Sequence, residues 1–346
     1  MYSHLASTKR TIEVLKHFGR YTKHHLGQNF LINDSIIGRI LEEAVLAQDE
    51  SVLEVGPGIG TLSAALLEHA SAVIAVEKDR ELEEILRYTL AQHRFLCLDE
   101  QARARGCVDV GARTNAAAGA NAGARTDSQA DVRNYAGAHA DSPASFCLVL
   151  QDALNFSRND LLAACKATES VIPQKFVANL PYQVAATLVL RYFEIFPEIQ
   201  DAIVMVQSEV CERMCAAPHT KTYGAYTAKL ALFASCVAHF SVAPSNFLPA
   251  PHVMSQVIHL RRHSSSTTLC EESEIPHVMR VIDAAFAQRR KTVSNSLSAC
   301  GFARNVVAHA LSQSEISAQA RAETLTPAAF VALTRAFDAE GAFADE

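Results

Sequence analysis

The 346-residue sequence predicts an α/β fold, a mostly parallel sheet wound with helices, followed by a small all-helical C-terminal domain. Three observations carry this. Ser51-Val-Leu-Glu-Val, a glycine-rich turn, a helix from about Leu62 to His69 and Ala72-Val-Ile-Ala-Val-Glu77 form a strand–turn–helix–strand unit, which connects parallel strands by a right-handed crossover. The apolar runs Phe146–Gln151, Lys175–Ala178 and Ala202–Val206 have the length of strands, with helical stretches between them. Beyond Ser264 the apolar spacing is helical only.

Composition bounds what such a chain does. Apolar residues at 49% and charged residues at 20% suffice for a sizeable core and exclude wholesale disorder. A net charge of −6, from 31 Lys+Arg against 37 Asp+Glu, excludes a uniformly basic nucleic-acid binder but allows local basic patches. The longest charge-free stretch, Leu230 to Leu260, holds Pro244, Pro249 and Pro251 and does not read as a membrane span. Met1-Tyr-Ser-His-Leu-Ala lacks the apolar run of a signal peptide. Nine scattered cysteines without a Cys-x-x-Cys pair suit reduced thiols in a cytoplasm better than disulfides or a zinc site. No metal ligand set is expected.

Taken in order, residues 1–33 form a basic N-terminal segment, in which Lys9, Arg10, Lys16, Arg20 and Lys23 face only Glu13. Asp34 is a candidate cap for a helix over Ser35–Ala44. After the two strands of the glycine unit, Asp79 is expected to cap a helix from Arg80 to about Leu98. Residues 101–145 then hold 14 alanines and five glycines with no Leu, Ile, Phe or Met, too little apolar surface to offset the entropy of ordering. This stretch reads as a low-complexity insertion. Strands and helices resume to about residue 262, with Val237–Val242 and Ser255–Leu260 as closing strands. Helices are expected over Pro276–Gln288, Lys291–Ala299, Ala303–Leu311 and Pro327–Ala339. The division is an α/β domain over 34–262 and a helical domain over 263–346.

Chemistry concentrates at strand ends. Gly56, Gly58 and Gly60 let the backbone pass close to a ligand at a helix N-terminus. Their Gly-x-Gly-x-Gly spacing departs from the Gly-x-Gly-x-x-Gly of dinucleotide sites, and Glu54 just before them suits a cationic methionyl group better than a pyrophosphate. Glu77, ending the next strand, can accept from two ribose hydroxyls. Asp152, after another strand, can accept from the exocyclic amine of a bound adenine or simply cap a turn. Asn179-Leu-Pro-Tyr182 is the discriminating motif. An adenine amine is a poor nucleophile because its lone pair is delocalised into the ring. The Asn179 side-chain oxygen and the Leu180 carbonyl can accept its two N–H groups and free that lone pair. Pro181 stiffens the turn, and Tyr182 offers a stacking face. A basic cluster, Arg289-Arg290-Lys291, is either a solvated helix face or a set of phosphate contacts.

With these motifs, the chain resembles the bacterial dimethyladenosine transferases of small-subunit (16S) ribosomal RNA. The resemblance is carried by Leu26-Gly-Gln-Asn-Phe-Leu31, Glu54-Val-Gly-Pro-Gly-Ile-Gly-Thr, Gln151-Asp-Ala-Leu, Asn179-Leu-Pro-Tyr and Met205-Val-Gln-Ser-Glu-Val-Cys-Glu-Arg-Met. Tyr223-Gly, Phe247-Leu-Pro-Ala-Pro-His-Val-Met-Ser and Ala285-Phe-Ala-Gln-Arg-Arg-Lys-Thr292 extend it nearly end to end, the insertion excepted. It implies a class I S-adenosylmethionine-dependent methyltransferase, Rossmann-like with a seven-stranded sheet. It implies that Asn29, Leu31, Gly56, Gly58, Glu77, Asp152 and Asn179 bind S-adenosylmethionine. Asn179, Leu180, Pro181 and Tyr182 would form the catalytic turn, with Phe247 sandwiching the target base opposite Tyr182. Arg289, Arg290 and Lys291 would bind RNA. The implied reaction dimethylates N6 of two adjacent adenosines in the 3′-terminal hairpin of 16S rRNA, by a cytoplasmic monomer. The chain departs from the family where basic residues are usual, at Leu26, Ser208 and His252. Two alternatives stand beside this reading: a large-subunit adenine methyltransferase of the macrolide-resistance type, and a non-catalytic RNA-binding assembly factor.

Overall fold

Strands whose residues are apolar on both faces need cover on both sides, which parallel strands with helical crossovers provide. The computed structural model describes residues 1–20, 28–99 and 143–343. In it β1 (Phe30–Leu31) is followed by β2 (Ser51–Val55) and β3 (Ala72–Glu77), then β4 (Arg94–Leu98) and β5 (Ser145–Leu150). All residues of β2 and β5 are buried. β2 pairs parallel with β3 (Val55↔Val76), β3 with β5 (Glu77↔Leu150), and β2 with β6 (Lys175–Asn179; Leu53↔Phe176). With β7 (Asp201–Gln207), β8 (Ala234–Val242) and β10 (Ser255–Arg262) they form an eight-stranded sheet ordered β4-β5-β3-β2-β6-β7-β10-β8. A separate two-stranded ladder joins β1 to β9 (Phe247–Leu248), antiparallel.

The eighth strand corrects the expected helix from Arg80 to about Leu98. Helix α4 covers only Leu82–Thr89, after α1 (Thr8–His17), α2 (Asp34–Ala44) and α3 (Thr61–Leu67). Phe95, Leu96, Cys97 and Leu98 then form β4, buried beside β5. A run of four apolar residues does not distinguish a strand from a helix turn. Asp34 is not the cap of α2 either. The Asn33 side chain accepts from Ser35 N at 3.0 Å, whereas the Asp34 carboxylate takes the main-chain N–H groups of Tyr2 and Ser3 at 2.7–3.0 Å.

Later helices are α5 (Arg158–Thr168), closed by a Ser157/Asp160 capping box, α6 (Ala185–Ile195), α7 (Ser208–Met214) and α8 (Ala225–Leu230). The C-terminal part is helical as expected: α9 (Ile275–Phe286), α10 (Val293–Ala299), α11 (Arg304–Gln313) and α12 (Pro327–Ala339). The chain divides into two compact units. One comprises Met1–Val184, Ile203–Met205 and Val242–Val253, and the other Ala185–Ala202, Val206–Ser241 and Met254–Glu346. The first has its core at Leu53, Ile74, Phe146, Phe156 and Phe176, all fully buried or nearly so. The second buries Tyr192, Phe193, Phe196, Phe330 and Phe337. Leu26 and the insertion up to residue 142 lie outside the described residues. No described helix is long and apolar enough to cross a membrane.

Candidate active site

The carboxyl ends of β2, β3, β5 and β6 bring the candidate residues of the first unit together. After β2 the chain turns through Gly56 (φ +69°) and Gly58 (φ +60°), a left-handed conformation that favours glycine. A Cβ on Gly56 would stand 3.5 Å from the Pro181 ring, and one on Gly58 would stand 3.1 Å from the Phe30 ring. The glycine turn therefore lies close against both the Asn-Leu-Pro-Tyr turn and Phe30 of the N-terminal segment. Thr61, first residue of α3, buries a side-chain hydroxyl with no hydrogen-bond partner among the described residues. A buried hydroxyl without a partner is costly, so this one suits a polar ligand at the helix start. The sequence reading missed Thr61; its place directly after the last glycine was the available signal.

Glu54 and Glu77 differ in surroundings. Glu54 is buried on β2 and accepts a 2.7 Å hydrogen bond from the Ser63 hydroxyl of α3. Burial pushes its carboxyl up to about 8, although that hydrogen bond works the other way. Glu77 ends β3, and one of its oxygens accepts from the N–H groups of Lys78 and Asp79, both at 2.8 Å. Burial pushes Glu77 up to about 7 against those donors. Asp152 follows β5, whose Leu150 is level with Glu77. Its carboxylate accepts from Leu154 N at 2.9 Å and pairs with the Lys78 ammonium at 2.8 Å, which holds it below the usual carboxylate range. Asp152 thus does cap a short turn. An incoming amine would share it with an exposed, displaceable lysine.

Asn179 ends β6, and its Nδ2 donates to the Asn29 carbonyl at 3.1 Å. A carbonyl can only accept, so the amide nitrogen must face Asn29. Oδ1 is left on the other side as an acceptor, as the amine chemistry requires. Leu180 is buried and donates its N–H to Met205 O at 3.2 Å; Pro181 and Tyr182 are partly exposed. Leu31 faces Phe247 across the β1–β9 ladder. Phe247 is only 2% exposed, so a base reaches its ring only after local movement. Arg289, Arg290 and Lys291 belong to the second unit, exposed between α9 and α10 rather than on a helix face.

The strand ends thus supply two carboxylates, an oriented amide, a glycine turn and a buried unsatisfied hydroxyl, a donor and acceptor set that fits S-adenosylmethionine. A family model described as ribosomal RNA adenine dimethylase matches residues 19–99 and 139–338. The chain belongs to that family. Its methyl donor is S-adenosylmethionine, and its activity is dimethylation of adenine in ribosomal RNA. Among curated relatives, a ribosomal RNA small subunit methyltransferase A of Magnetococcus marinus is 33% identical, over 92% of this chain and 93% of the relative. The protein of that name from Streptomyces griseus is 35% identical over 89% and 86%. The fold matches a crystal structure of a dimethyladenosine transferase from Plasmodium falciparum (TM-score 0.61, 20% identity, 90% of this chain and 98% of that one). It also matches the 23S rRNA methyltransferase ErmE (TM-score 0.53, 21% identity, 90% and 100%). The mostly parallel sheet and the helical C-terminal region agree with the expected Rossmann-like methyltransferase class, but the sheet has eight strands where seven were expected, because Arg94–Leu98 adds an edge strand beside β5.

Proposed function

We propose that the chain dimethylates N6 of two adjacent adenosines in the 3′-terminal hairpin of 16S rRNA, on the small ribosomal subunit or its precursor. The observation that carries the catalytic part is the Asn179 amide at the end of β6, whose nitrogen is held by the Asn29 carbonyl so that its oxygen is the end left to accept. The names of the relatives support the small subunit over the large-subunit alternative. The chain is read as acting in the cytoplasm as a monomer, with residues 34–262 as the catalytic domain and 263–346 as the RNA-contacting domain.

In this reading Glu77 holds the ribose hydroxyls and Asp152 the adenine amine of S-adenosylmethionine. Asn29, Leu31, Gly56 and Gly58, beside the Asn-Leu-Pro-Tyr turn and the β1–β9 ladder, take the rest of the donor, and the Thr61 hydroxyl answers a polar group at the start of α3. Bound S-adenosylmethionine supplies an electrophilic methyl group. The work of the chain is orientation and charge. Asn179 Oδ1 and the Leu180 carbonyl accept the two N–H groups of the target amine, which frees its lone pair. Pro181 fixes the turn, and Tyr182 and Phe247 hold the base. An amine that has just been alkylated is strongly acidic, so its proton leaves without a tuned base. Arg289, Arg290 and Lys291 grip phosphates and stand outside the chemistry.

The deciding experiment is tritiated methyl transfer onto unmethylated small subunits, followed by nucleoside analysis. Label in dimethyladenosine of the small-subunit RNA is expected. Label confined to large subunits would replace this substrate with the other, and the absence of label on either would favour a non-catalytic assembly factor.

A further inference from the structure

Two-residue strands cannot hold a register by main-chain bonds alone, yet β1 and β9 join segments separated by more than two hundred residues. Side chains reinforce them. Asn33 Nδ2 donates to Asn246 Oδ1 at 2.7 Å. Asn33 Oδ1 is already committed to the start of α2, accepting from Ser35 N at 3.0 Å and Ser35 Oγ at 2.7 Å. Its amide nitrogen therefore has to face Asn246. Asn246 Nδ2 in turn donates to Ala243 O at 2.9 Å, and Asn246 O receives Ile32 N at 2.9 Å. Every polar atom of the two amides has a partner, so the donor direction is fixed without ambiguity.

The position of this pair matters more than its strength. Asn246 immediately precedes Phe247, which the proposed function places against the target base. Asn33 lies just after the β1 segment, whose preceding residue, Asn29, offers the carbonyl that orients Asn179. A path of main chain joined by two side-chain hydrogen bonds therefore runs from Phe247 and Asn246 across to Asn33, along β1 to Asn29 and across to the Asn179 amide, all within one compact unit. We infer that Asn33 and Asn246 are positioning residues for methyl transfer, whose side-chain bond aligns the target-base side of the site with the methyl-donor side. The inference rests on the function proposed above. Each side retains its own anchors without the bond, Asn29 through Asn179 and Phe247 through burial. Binding of either ligand alone then changes little, while a rate that depends on mutual alignment falls.

Three variants separate this role from a structural one. Asn33→Ser keeps an N-cap acceptor but has no donor that reaches Asn246. Asn246→Ala removes the acceptor, and Asn246→Asp retains it. The measurements are the single-turnover rate on unmethylated small subunits at saturating S-adenosylmethionine and the calorimetric Kd of free protein for S-adenosylhomocysteine. Asn33→Ser and Asn246→Ala are expected to be about tenfold slower, with Kd within about twofold of the parent protein. Asn246→Asp keeps the acceptor for Asn33 but loses the bond to Ala243 O, as the Ala variant does, so it is expected to recover part of the rate and to be clearly faster than Asn246→Ala. Parent rates in the first two variants would overturn the inference. So would an Asp variant as slow as the Ala variant, or a loss accounted for by a smaller folded fraction in circular dichroism. Parent protein that methylates no small subunit would instead overturn the substrate reading, and the inference with it.

Discussion

Asn179 has both ends of its amide assigned, the nitrogen by Asn29 and the oxygen by the chemistry proposed for it. Asn179→Ala removes one positioned acceptor, a contact of the kind that supplies about 3 kcal/mol in a transition state. Single-turnover transfer should slow on the order of a hundredfold, with S-adenosylmethionine affinity reduced far less; a near-parent rate would show that the amine is held elsewhere. Glu77 gives a pH signature. Burial raises it to about 7 and Glu54 to about 8, from an ordinary value of 4.5. Over that interval the folded chain binds more protons than the unfolded chain. The stability these groups contribute is therefore complete below about pH 4.5 and is lost as pH rises through 7 and 8. Ligand binding runs the other way, because ionised Glu77 is the stronger acceptor for ribose hydroxyls. Calorimetric affinity for S-adenosylmethionine should weaken as pH falls below about 7, by up to about tenfold per unit. Glu77→Gln should remove that arm of the profile, and an unchanged profile in the Gln variant would assign the titration to another group.

Helix α6 follows directly after the Asn-Leu-Pro-Tyr turn, and a helix end leaves carbonyls without partners. Arg262, at the end of β10, supplies them: its guanidinium donates to Phe193 O at 2.6 Å, Phe196 O at 3.0 Å and Ile199 O at 2.7 Å. It also lies over the Phe193 ring, 5.1 Å from the centroid. Arg262→Ala strands these acceptors and should cost about 3 kcal/mol, read as a lower urea midpoint. Arg262→Lys should recover only part, because an ammonium cannot serve several fixed directions as a planar fork does. Equal midpoints for the Ala and parent proteins would show that water caps the helix just as well. The elements also show what the sequence could reveal. Glu77, Asp152 and Asn179 were legible because each ends an apolar run, where a polar residue stands out. The Arg94–Leu98 strand was not, because four apolar residues carry no decisive period and β5 selects the strand. β1 and β9 left no pattern at all, since two-residue strands exist only through their long-range pairing. Neither the burial of Phe247 nor the Lys78 partner of Asp152 could be read from sequence, because both depend on which loops meet in space.

At the scale of the whole molecule, charge and connectivity make separate predictions. The net charge is −6, yet Arg289 and Arg290 are exposed, and arginine grips phosphate through paired donors. Changing both to Ala should weaken small-subunit binding and flatten its salt dependence by roughly one unit of slope per lost phosphate contact, leaving cofactor affinity unchanged. An unaltered slope with earlier melting would make them braces, held in part by the Arg289 hydrogen bond to Lys221 O at 3.5 Å. The insertion is a question of connectivity. β4 and β5 are parallel neighbours, with Arg94↔Ser145 and Leu98↔Val149 in register. The chain leaving Leu98 must return to Ser145, four residues back along the strand or about 13 Å. A connection between parallel neighbours generally has to clear the side chains on one face, roughly 10 Å out of the sheet and 10 Å back. That is about 33 Å of path, and parallel strands generally need a dozen or more residues to make it. Fusing residue 102 directly to residue 143 leaves six connecting residues, a reach of only about 20 Å, so this variant should lose cooperative unfolding or melt far below the parent. Replacing 103–142 with twelve Gly/Ser residues gives a reach of about 60 Å, and a flexible connection of that length adds little closure cost. The second variant should therefore fold and methylate much as the parent does. If it also melts far lower in a thermal scan, residues 103–142 pack on the core, and the low-complexity composition has been misread.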